Sequence, residues 1–257
     1  MQLDHIIVAV RDLGQAMEDF RALGFIVFFG GQHAGGKTHN ALICLADGSY
    51  IELIAPTDPA NPPDDSPYLG PGRGFAGYAL LTDDIDAQAR ALKAQGFPIV
   101  GPLPGGRKRG DGQLLAWRTL FLHGSLSPFL IVDETPRVLR VPDDADKLAH
   151  ANGAIGIREL VVAVPDLTAA SERYTAIFGQ DPEPGPAMDG AETRGFALDG
   201  CRVIIAAPTD DAGPLAAHLR EAGESPWLCR VATEDQTRVG LLDLARTHGA
   251  RFELVGD

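Results

Sequence analysis

The 257-residue chain has few cysteines and lacks long apolar runs. Its three cysteines, Cys44, Cys201 and Cys229, are widely spaced and odd in number, which matches neither a disulfide framework nor a zinc knuckle. We therefore expect reduced thiols in the core of a cytoplasmic protein. The longest apolar runs, such as residues 6–10, are too short to span a bilayer. Because no basic-then-apolar leader opens the chain, we expect neither a secretory signal nor a membrane partner.

Positive charge is also scarce. The chain has 22 Lys and Arg against 35 Asp and Glu, a formal net charge of −13. Nucleic-acid binding depends on a concentrated positive field, so we expect no nucleic-acid partner. The acidic total favours solubility and says little about which small molecule would bind.

What the chain does contain is a repeated segment. The stretch LDHIIVAVRDL at residues 3–13 returns as IRELVVAVPDL at residues 157–167. The apolar positions recur, but His5 in the first copy is Glu159 in the second. Since the second copy keeps the strand pattern without an imidazole, the histidine is not required for packing. This indicates that His5 serves a cavity.

The elements around the repeated segment recur as well. Asp12 predicts a helix N-cap and Gly24 the end of that helix. Three extended runs follow, which gives the order strand, helix, strand, strand, strand. The same order recurs over residues 74–135 and begins again at residue 157.

A fourth unit begins at residue 227. We predict a helix near residues 237–248 and a strand over residues 251–255, after which the unit lacks its last two strands. A shortened sheet edge invites pairing with another segment or subunit, so a homodimer is one expected way to complete it.

Four tandem βαβββ units resemble the vicinal oxygen chelate superfamily (glyoxalase, bleomycin resistance and dioxygenase proteins). The first half resembles the bacterial glyoxalase-like domain family in its segments LDHIIVAV, GGQHAGGKTHNALICL, SYIELIAP, GRKRGDGQLLAWR and SPFLIVDE. The resemblance implies an α+β fold of paired, curved mixed sheets with the last unit truncated. Its expected parts are a glyoxalase-like domain at 1–135 (units 1–56 and 74–135), a linker at 136–156, and a degenerate, truncated second domain at 157–257.

The resemblance also implies a divalent metal in a cavity, held from the first and fourth strands of each unit. His5 lies in the first strand and Glu52 in the fourth, and these ligand types suit Zn, Fe, Mn, Ni or Co. The second unit has Gly77 at the position that matches His5 and either Phe129 or Leu130 at the position that matches Glu52, and none of these is a ligand. Two ligands do not make a tight site, since three or four are usual.

A third ligand could come from the glycine-rich loop that contains His33 and His39. We take His33 as this ligand and, with Glu52, as a candidate for proton transfer. The alternatives are a His5–Glu52 hydrogen bond that lines a metal-free pocket, and loop histidines that are simply exposed to water.

A cationic segment with a tryptophan forms a second candidate group. Arginine binds carboxylate or phosphate groups through two parallel hydrogen bonds, and an indole ring offers a flat apolar face. The segment is equally compatible with a solvent-exposed hairpin turn. The predicted substrate-binding residues are Arg107, Arg109, Trp117, Arg118, Phe129 and Tyr78.

Three functions remain open. The first is a divalent-metal-dependent lyase, isomerase or dioxygenase that acts on a small anionic oxygenated molecule in the N-terminal domain. The second is a metal-free protein of the same fold that binds an aromatic or antibiotic-like molecule. The third is a scaffold whose role is oligomerisation.

Overall fold

The computed structural model describes residues 1–63, 74–122 and 128–257. Its first half contains two units with the predicted order of strand, helix and three strands. The first unit comprises β1 (Gln2–Ala9), α1 (Leu13–Ala22), β2 (Phe28–His33), β3 (Thr38–Cys44) and β4 (Tyr50–Pro56). The second comprises β5 (Gly74–Leu81), α2 (Ile85–Ala94), β6 (Ile99–Lys108), β7 (Leu114–Leu122) and β8 (Phe129–Asp133). Most of the connection between the two units, residues 64–73, lies outside the described residues.

Local signals account for the helix starts. The Asp12 carboxylate accepts a hydrogen bond from the backbone N–H of Gln15 at 3.0 Å, and Asp84 accepts one from Ala87 at 2.8 Å. Each satisfies a donor that a helix N-terminus leaves without an intrahelical partner. Both units therefore enter their helices in the same way.

The eight strands of the two units close into a barrel in the order β1-β4-β3-β2-β6-β7-β8-β5. Within the first unit β1 runs parallel to β4, so that Ile7 lies opposite Glu52. Between the units β1 runs antiparallel to β5. Because side chains alternate along a strand, one face of each strand points into the barrel and the other packs outside it.

Residues 136–156, predicted as a linker, contain two short helices, α3 (Arg137–Arg140) and α4 (Ala145–Leu148). They lie against the barrel. Arg140 is buried among barrel residues, and the His150 imidazole contacts the Cys44 carbonyl through Nε2 at 2.8 Å. The segment therefore forms part of the barrel's packing.

The second half forms an open seven-stranded sheet in the order β10-β11-β12-β9-β13-β15-β14. Its third unit comprises β9 (Ala154–Ala163), α5 (Leu167–Phe178), β10 (Glu183–Pro184), β11 (Ala191–Leu198) and β12 (Cys201–Pro208). Helix α6 (Gly213–Ala222) follows, and the fourth unit comprises β13 (Ser225–Thr233), a 3-10 helix (Gln236–Arg238), β14 (Gly240–Leu241) and β15 (Phe252–Gly256). The predicted α+β glyoxalase-like fold is thus confirmed.

The fourth unit is short, but it differs from the prediction. The helix expected near residues 237–248 is replaced by the 3-10 turn, strand β14 and a further turn. Strand β15 pairs parallel with β13, as β4 pairs with β1, so it holds the fourth-strand position. The shortened elements therefore lie between β13 and β15, in the middle of the unit.

Helix α6 covers the face of the second sheet that corresponds to the barrel interior. Leu215 packs there with Val161, Ala163, Ile204 and Leu228. In the sequence repeat Val161 matches Ile7, which lines the barrel. The apolar side of an amphipathic helix therefore covers, in the second half, the face that lines the cavity in the first.

The two halves share one hydrophobic core. The Phe252 ring lies 6.0 Å from the Phe20 ring and 5.0 Å from the Phe75 ring, measured between centroids. The Tyr78 hydroxyl donates to the Tyr174 hydroxyl at 3.2 Å. Within the described residues, no helix combines the length and apolar character needed to cross a membrane.

Candidate functional site

The barrel encloses a cavity of about 310 Å³. The cavity has polar and apolar walls. His5, His33, Glu52 and Arg107 contribute to the polar wall. The apolar wall comes from both units and includes Ile7, Ile54, Phe121, Phe129 and Ile131. A small molecule with one polar and one apolar part would match this division.

Glu52 is the centre of the polar wall. Its Oε2 lies 3.3 Å from His5 Nε2, and its Oε1 lies 3.5 Å from His33 Nε2. Asn40 Nδ2 donates a hydrogen bond to Oε1 at 2.6 Å. The predicted trio of His5, His33 and Glu52 is therefore brought together around one carboxylate.

His5 is held from its other side by Asp4. The Nδ1 atom of His5 lies 2.5 Å from Asp4 Oδ1, and both residues are buried. A register shift in the β1–β5 pairing falls between Leu3 and His5, at the position of Asp4. Such an irregularity lets neighbouring side chains depart from strict alternation, which allows Asp4 to reach the ring of His5.

The surroundings of Glu52 and His5 favour the charged form of each side chain. Burial alone raises the pKa of Glu52, but hydrogen bonds from His33 and His5 outweigh it and hold that pKa well below its usual range. Burial alone lowers the pKa of His5, but hydrogen bonds with Asp4 and Glu52 leave it raised. The two carboxylates on either side of His5 therefore favour its protonated form.

His33 is the more accessible of the two histidines. Its side chain is 20% exposed, compared with 4% for that of His5. Its Nδ1 lies 2.9 Å from the Thr38 hydroxyl, and its ring lies edge-on to the ring of Trp117, at 6.3 Å between centroids. The ring is thus oriented by Thr38 and Glu52 at the cavity wall.

Arg107 is the cation of the polar wall. It is buried, with one guanidinium nitrogen donating to Asn40 Oδ1 at 3.0 Å and another to the Arg140 carbonyl at 2.8 Å. Its Nε has no hydrogen-bond partner among the described residues. Gly30 makes room for it, because a Cβ there would lie 2.2 Å from Arg107 Nη1.

Not all predicted binding residues reach the cavity. Trp117 and Phe129 line it as expected. Arg118 instead forms ion pairs with Asp86 and Glu134, and Arg109 binds the Leu139 carbonyl and Asp111. Tyr78 is buried between the two halves, as described above. The expectation that these three residues face a ligand in the cavity is therefore corrected.

The sequence reasoning missed several polar residues of the site, among them Asp4, Thr38, Asn40, Tyr50 and Arg140. A signal for Asp4 was available, because the repeat replaces it with Arg158 as well as replacing His5. No comparable signal marked Arg140, which lies in the segment that was predicted as a linker.

The side chains do not complete a metal site. Within the described residues, no group of three or more His, Cys, Asp and Glu side chains has an arrangement that could hold a metal ion. Asn40 donates to the Glu52 carboxylate, and Phe129 and Ile131 occupy the facing wall. Metal sites usually have three or four protein ligands. The divalent metal therefore stays a prediction.

Comparison with known proteins identifies the family. Residues 3–178 match the model of the glyoxalase-like domain family. The chain belongs to this family. The match covers both barrel units, the segment with α3 and α4, and the third unit as far as the end of α5.

Solved structures support the fold of this glyoxalase-like chain. A hypothetical protein from Staphylococcus aureus is 16% identical with a TM-score of 0.76, covering 100% of this chain and 99% of that one. A mutant 4-hydroxymandelate synthase from Streptomyces coelicolor is 14% identical with a TM-score of 0.64, covering 95% and 77%. A methylmalonyl-CoA epimerase from the same organism is 28% identical with a TM-score of 0.41, covering 52% and 99%. The first two likenesses show the vicinal oxygen chelate fold, and a comparison with curated proteins found no match.

Proposed function

We propose that the barrel cavity binds a small anionic oxygenated molecule and exchanges a proton with it, in a reaction of isomerase or lyase type. The observation that carries this proposal is the Glu52 carboxylate, which lies at the cavity wall between two imidazoles. Arg107 lies in the same wall and has a buried N–H that no described residue accepts.

Arg107 supports the anionic character of the ligand. Its guanidinium is buried, and burial lowers its pKa because the charged form loses hydration. A carboxylate or phosphate oxygen that accepted the Nε hydrogen would compensate for this loss. The remaining part of the ligand would lie against Ile7, Ile54 and Phe129.

His33 and Glu52 support the proton transfer. In the neutral tautomer that carries its hydrogen on Nδ1 and donates it to the Thr38 hydroxyl, His33 Nε2 carries a lone pair. A proton would leave a carbon next to the ligand's carbonyl for this Nε2 and return from it to the same or a neighbouring carbon. The low pKa of Glu52 keeps this carboxylate ionised. Glu52 would therefore orient the His33 ring and stabilise the imidazolium that forms. This division of roles matches the greater exposure of His33.

The proposal is tested by deuterium exchange. The protein is incubated with small 2-oxo acids in deuterated water, and proton NMR follows the loss of the hydrogens next to the carbonyl. We expect His33→Gln and Glu52→Gln to slow the exchange by about 10²-fold or more, the usual contribution of a positioned acid or base. Arg118→Met is the control, because Arg118 lies outside the cavity.

Two results would count against this function. Wild-type protein that catalyses no exchange with any of these acids would contradict proton transfer. Thermal stabilisation by an acid without exchange would favour the metal-free binding protein, in which Trp117 and Phe129 supply most of the contact.

One observation favours a metal-dependent form of the same site. His5 and His33 both direct Nε2 at Glu52, and their outer Nδ1 atoms are held by Asp4 and Thr38. Metal-binding histidines are commonly oriented through their second nitrogen in this way. His5 would have to lose its proton on metal binding, because only a neutral imidazole binds a metal. His5, His33 and Glu52 would then be the ligands, and a bound Zn, Fe, Mn, Ni or Co ion would polarise the substrate's oxygen atoms.

Elemental analysis of protein prepared in metal-supplemented medium tests this second candidate. Stoichiometric metal in wild type and its loss in Glu52→Gln would support it. Metal content that is negligible, or equal in the two proteins, would contradict it.

A further inference from the structure

We propose that Arg140 is a positioning residue that orients both His5 and Arg107 in the cavity wall. The inference rests on the proposed function, in which Arg107 binds the anion and Glu52, which His5 contacts at 3.3 Å, orients His33. Arg140 lies in α3, beyond the last strand of the barrel, and its side chain is 3% exposed. Its contacts divide into three groups.

The first group fixes the carboxylate behind His5. Two guanidinium nitrogens of Arg140 donate to the two oxygens of Asp4, at 2.8 and 2.9 Å. The same guanidinium donates to Asp133 at 2.5 and 2.8 Å. A planar fork between two carboxylates has little rotational freedom. Asp4 is therefore held in the position from which it contacts His5 Nδ1.

The second group fixes the face of the same imidazole. Arg140 donates to the Tyr50 hydroxyl at 2.8 Å. The Tyr50 ring stacks on the His5 ring with 4.5 Å between centroids and 24° between planes. Arg140 thus restrains His5 both in the plane of its ring, through Asp4, and across it, through Tyr50.

The third group reaches the anion-binding side of the wall. The Arg140 carbonyl accepts a hydrogen bond from Arg107 at 2.8 Å. Since α3 is only four residues long, its backbone position depends largely on its anchored side chains. Removing the Arg140 side chain would therefore loosen the support of Arg107 as well as that of His5.

Asp4 has a second cationic neighbour, which provides a control. Arg137 also donates to Asp4, to Asp133 and to the Gly48 carbonyl, but among the described residues it makes no hydrogen bond or ring contact with Tyr50. If Arg140 merely balanced the charge of Asp4, substitution of either arginine would have similar effects. If Arg140 positions the ring, substitution of Arg140 would have the larger effect.

The test compares Arg140→Met and Arg140→Lys with Arg137→Met and Arg118→Met. Nitrogen-edited NMR detects the imidazole proton that His5 Nδ1 shares with Asp4. In the wild type we expect a far-downfield, slowly exchanging signal, assigned by its loss in His5→Gln. We expect this signal to disappear or shift in Arg140→Met, to weaken in Arg140→Lys, and to persist in Arg137→Met and Arg118→Met.

Activity provides the second measurement. A displacement of about 1 Å in a site can lower a rate about 10²-fold, so we expect deuterium exchange in Arg140→Met to fall by about that factor. We expect kcat to fall because His5 holds Glu52 in place. We expect the affinity for the acid to fall as well, because Arg107 binds the anionic group. Lysine retains the charge without the fork, so it should restore only part of the loss.

The outcomes separate this inference from the proposed function. A His5 signal that is unchanged in Arg140→Met, or equally disturbed in Arg137→Met, would overturn the positioning role. Should the methionine variant fail to fold, an unchanged signal in Arg140→Lys would overturn it instead. Wild-type protein without exchange activity would contradict the proposed function, while the His5 signal would still decide the role of Arg140.

Discussion

At the scale of single residues, the site is governed by the cost of burying charge. Glu52 and Asp4 are both buried, and an isolated carboxylate in such a place would be strongly destabilising. The His5 imidazolium between them offsets part of that cost, as do Arg140 and Asn40. In the second half Glu159, at the position of His5, is compensated differently, through an ion pair with Arg230.

This arrangement predicts a pH dependence of stability. The pKa of His5 is raised in the folded protein, so folding favours its protonated form. Its contribution is fully present below the ordinary value of 6.5 and is lost as the pH rises through the folded-state pKa. We expect the free energy of unfolding to decline over that range, and the decline to be absent in His5→Gln.

Urea unfolding at a series of pH values above 6 measures this effect. His39→Gln is the matched control, because burial lowers the pKa of His39 and its contribution therefore has the opposite sign. His39→Gln should retain the alkaline decline. An equal decline in His5→Gln and the wild type would refute the assignment.

Five of the residues named from the sequence line the cavity: His5, Glu52, His33, Trp117 and Phe129. The family's strand positions indicated His5, Glu52 and Phe129, the glycine-rich loop indicated His33, and the cationic segment indicated Trp117. Arg118 does not line the cavity, because it follows Trp117 on the same strand and so points to the opposite face. Arg109 failed for another reason, since β6 ends at Lys108 and the alternation does not extend beyond it.

At the scale of elements, a helix requires a surface on which to bury its apolar side chains. The spacing of residues 237–248 suggested a helix, but Leu241 and Leu244 are 60% and 44% exposed. Most helical stability in proteins comes from such burial, and among the described residues these two leucines have no apolar surface against which to pack. Helix α6 meets the requirement, since Leu215 is 5% exposed against the second sheet.

Leu215→Ala tests the covering role of α6. Removing a buried leucine side chain costs about 2–5 kcal/mol of unfolding free energy, through lost burial and the cavity that remains. We expect a loss in this range by urea unfolding. Leu241→Ala is the matched control, for which surface exposure predicts a change of about 0.5 kcal/mol or less. Equal small effects in both variants would show that α6 does not cover the sheet.

At the scale of the whole molecule, the repeat predicted the units but not how the two halves meet. Tyr78 was assigned to a ligand because it lies next to the position that matches His5. It instead packs into the core shared by both halves, where its hydroxyl donates to Tyr174. Contacts between distant units depend on the complete packing of both, which the pattern of either unit alone does not contain.

The shared core predicts that the two halves unfold together. The chain has two tryptophans, Trp117 in the barrel and Trp227 in the second sheet. Trp227→Phe leaves fluorescence from the barrel alone, and Trp117→Phe leaves fluorescence from the second half alone. Because Phe252 packs on rings of the first half, we expect the two variants to show coincident urea transitions. Phe252→Ala should lower both midpoints together, through a loss of about 3–5 kcal/mol of unfolding free energy. Separate transitions, or a Phe252→Ala effect confined to the Trp227 signal, would show that each half is stable on its own.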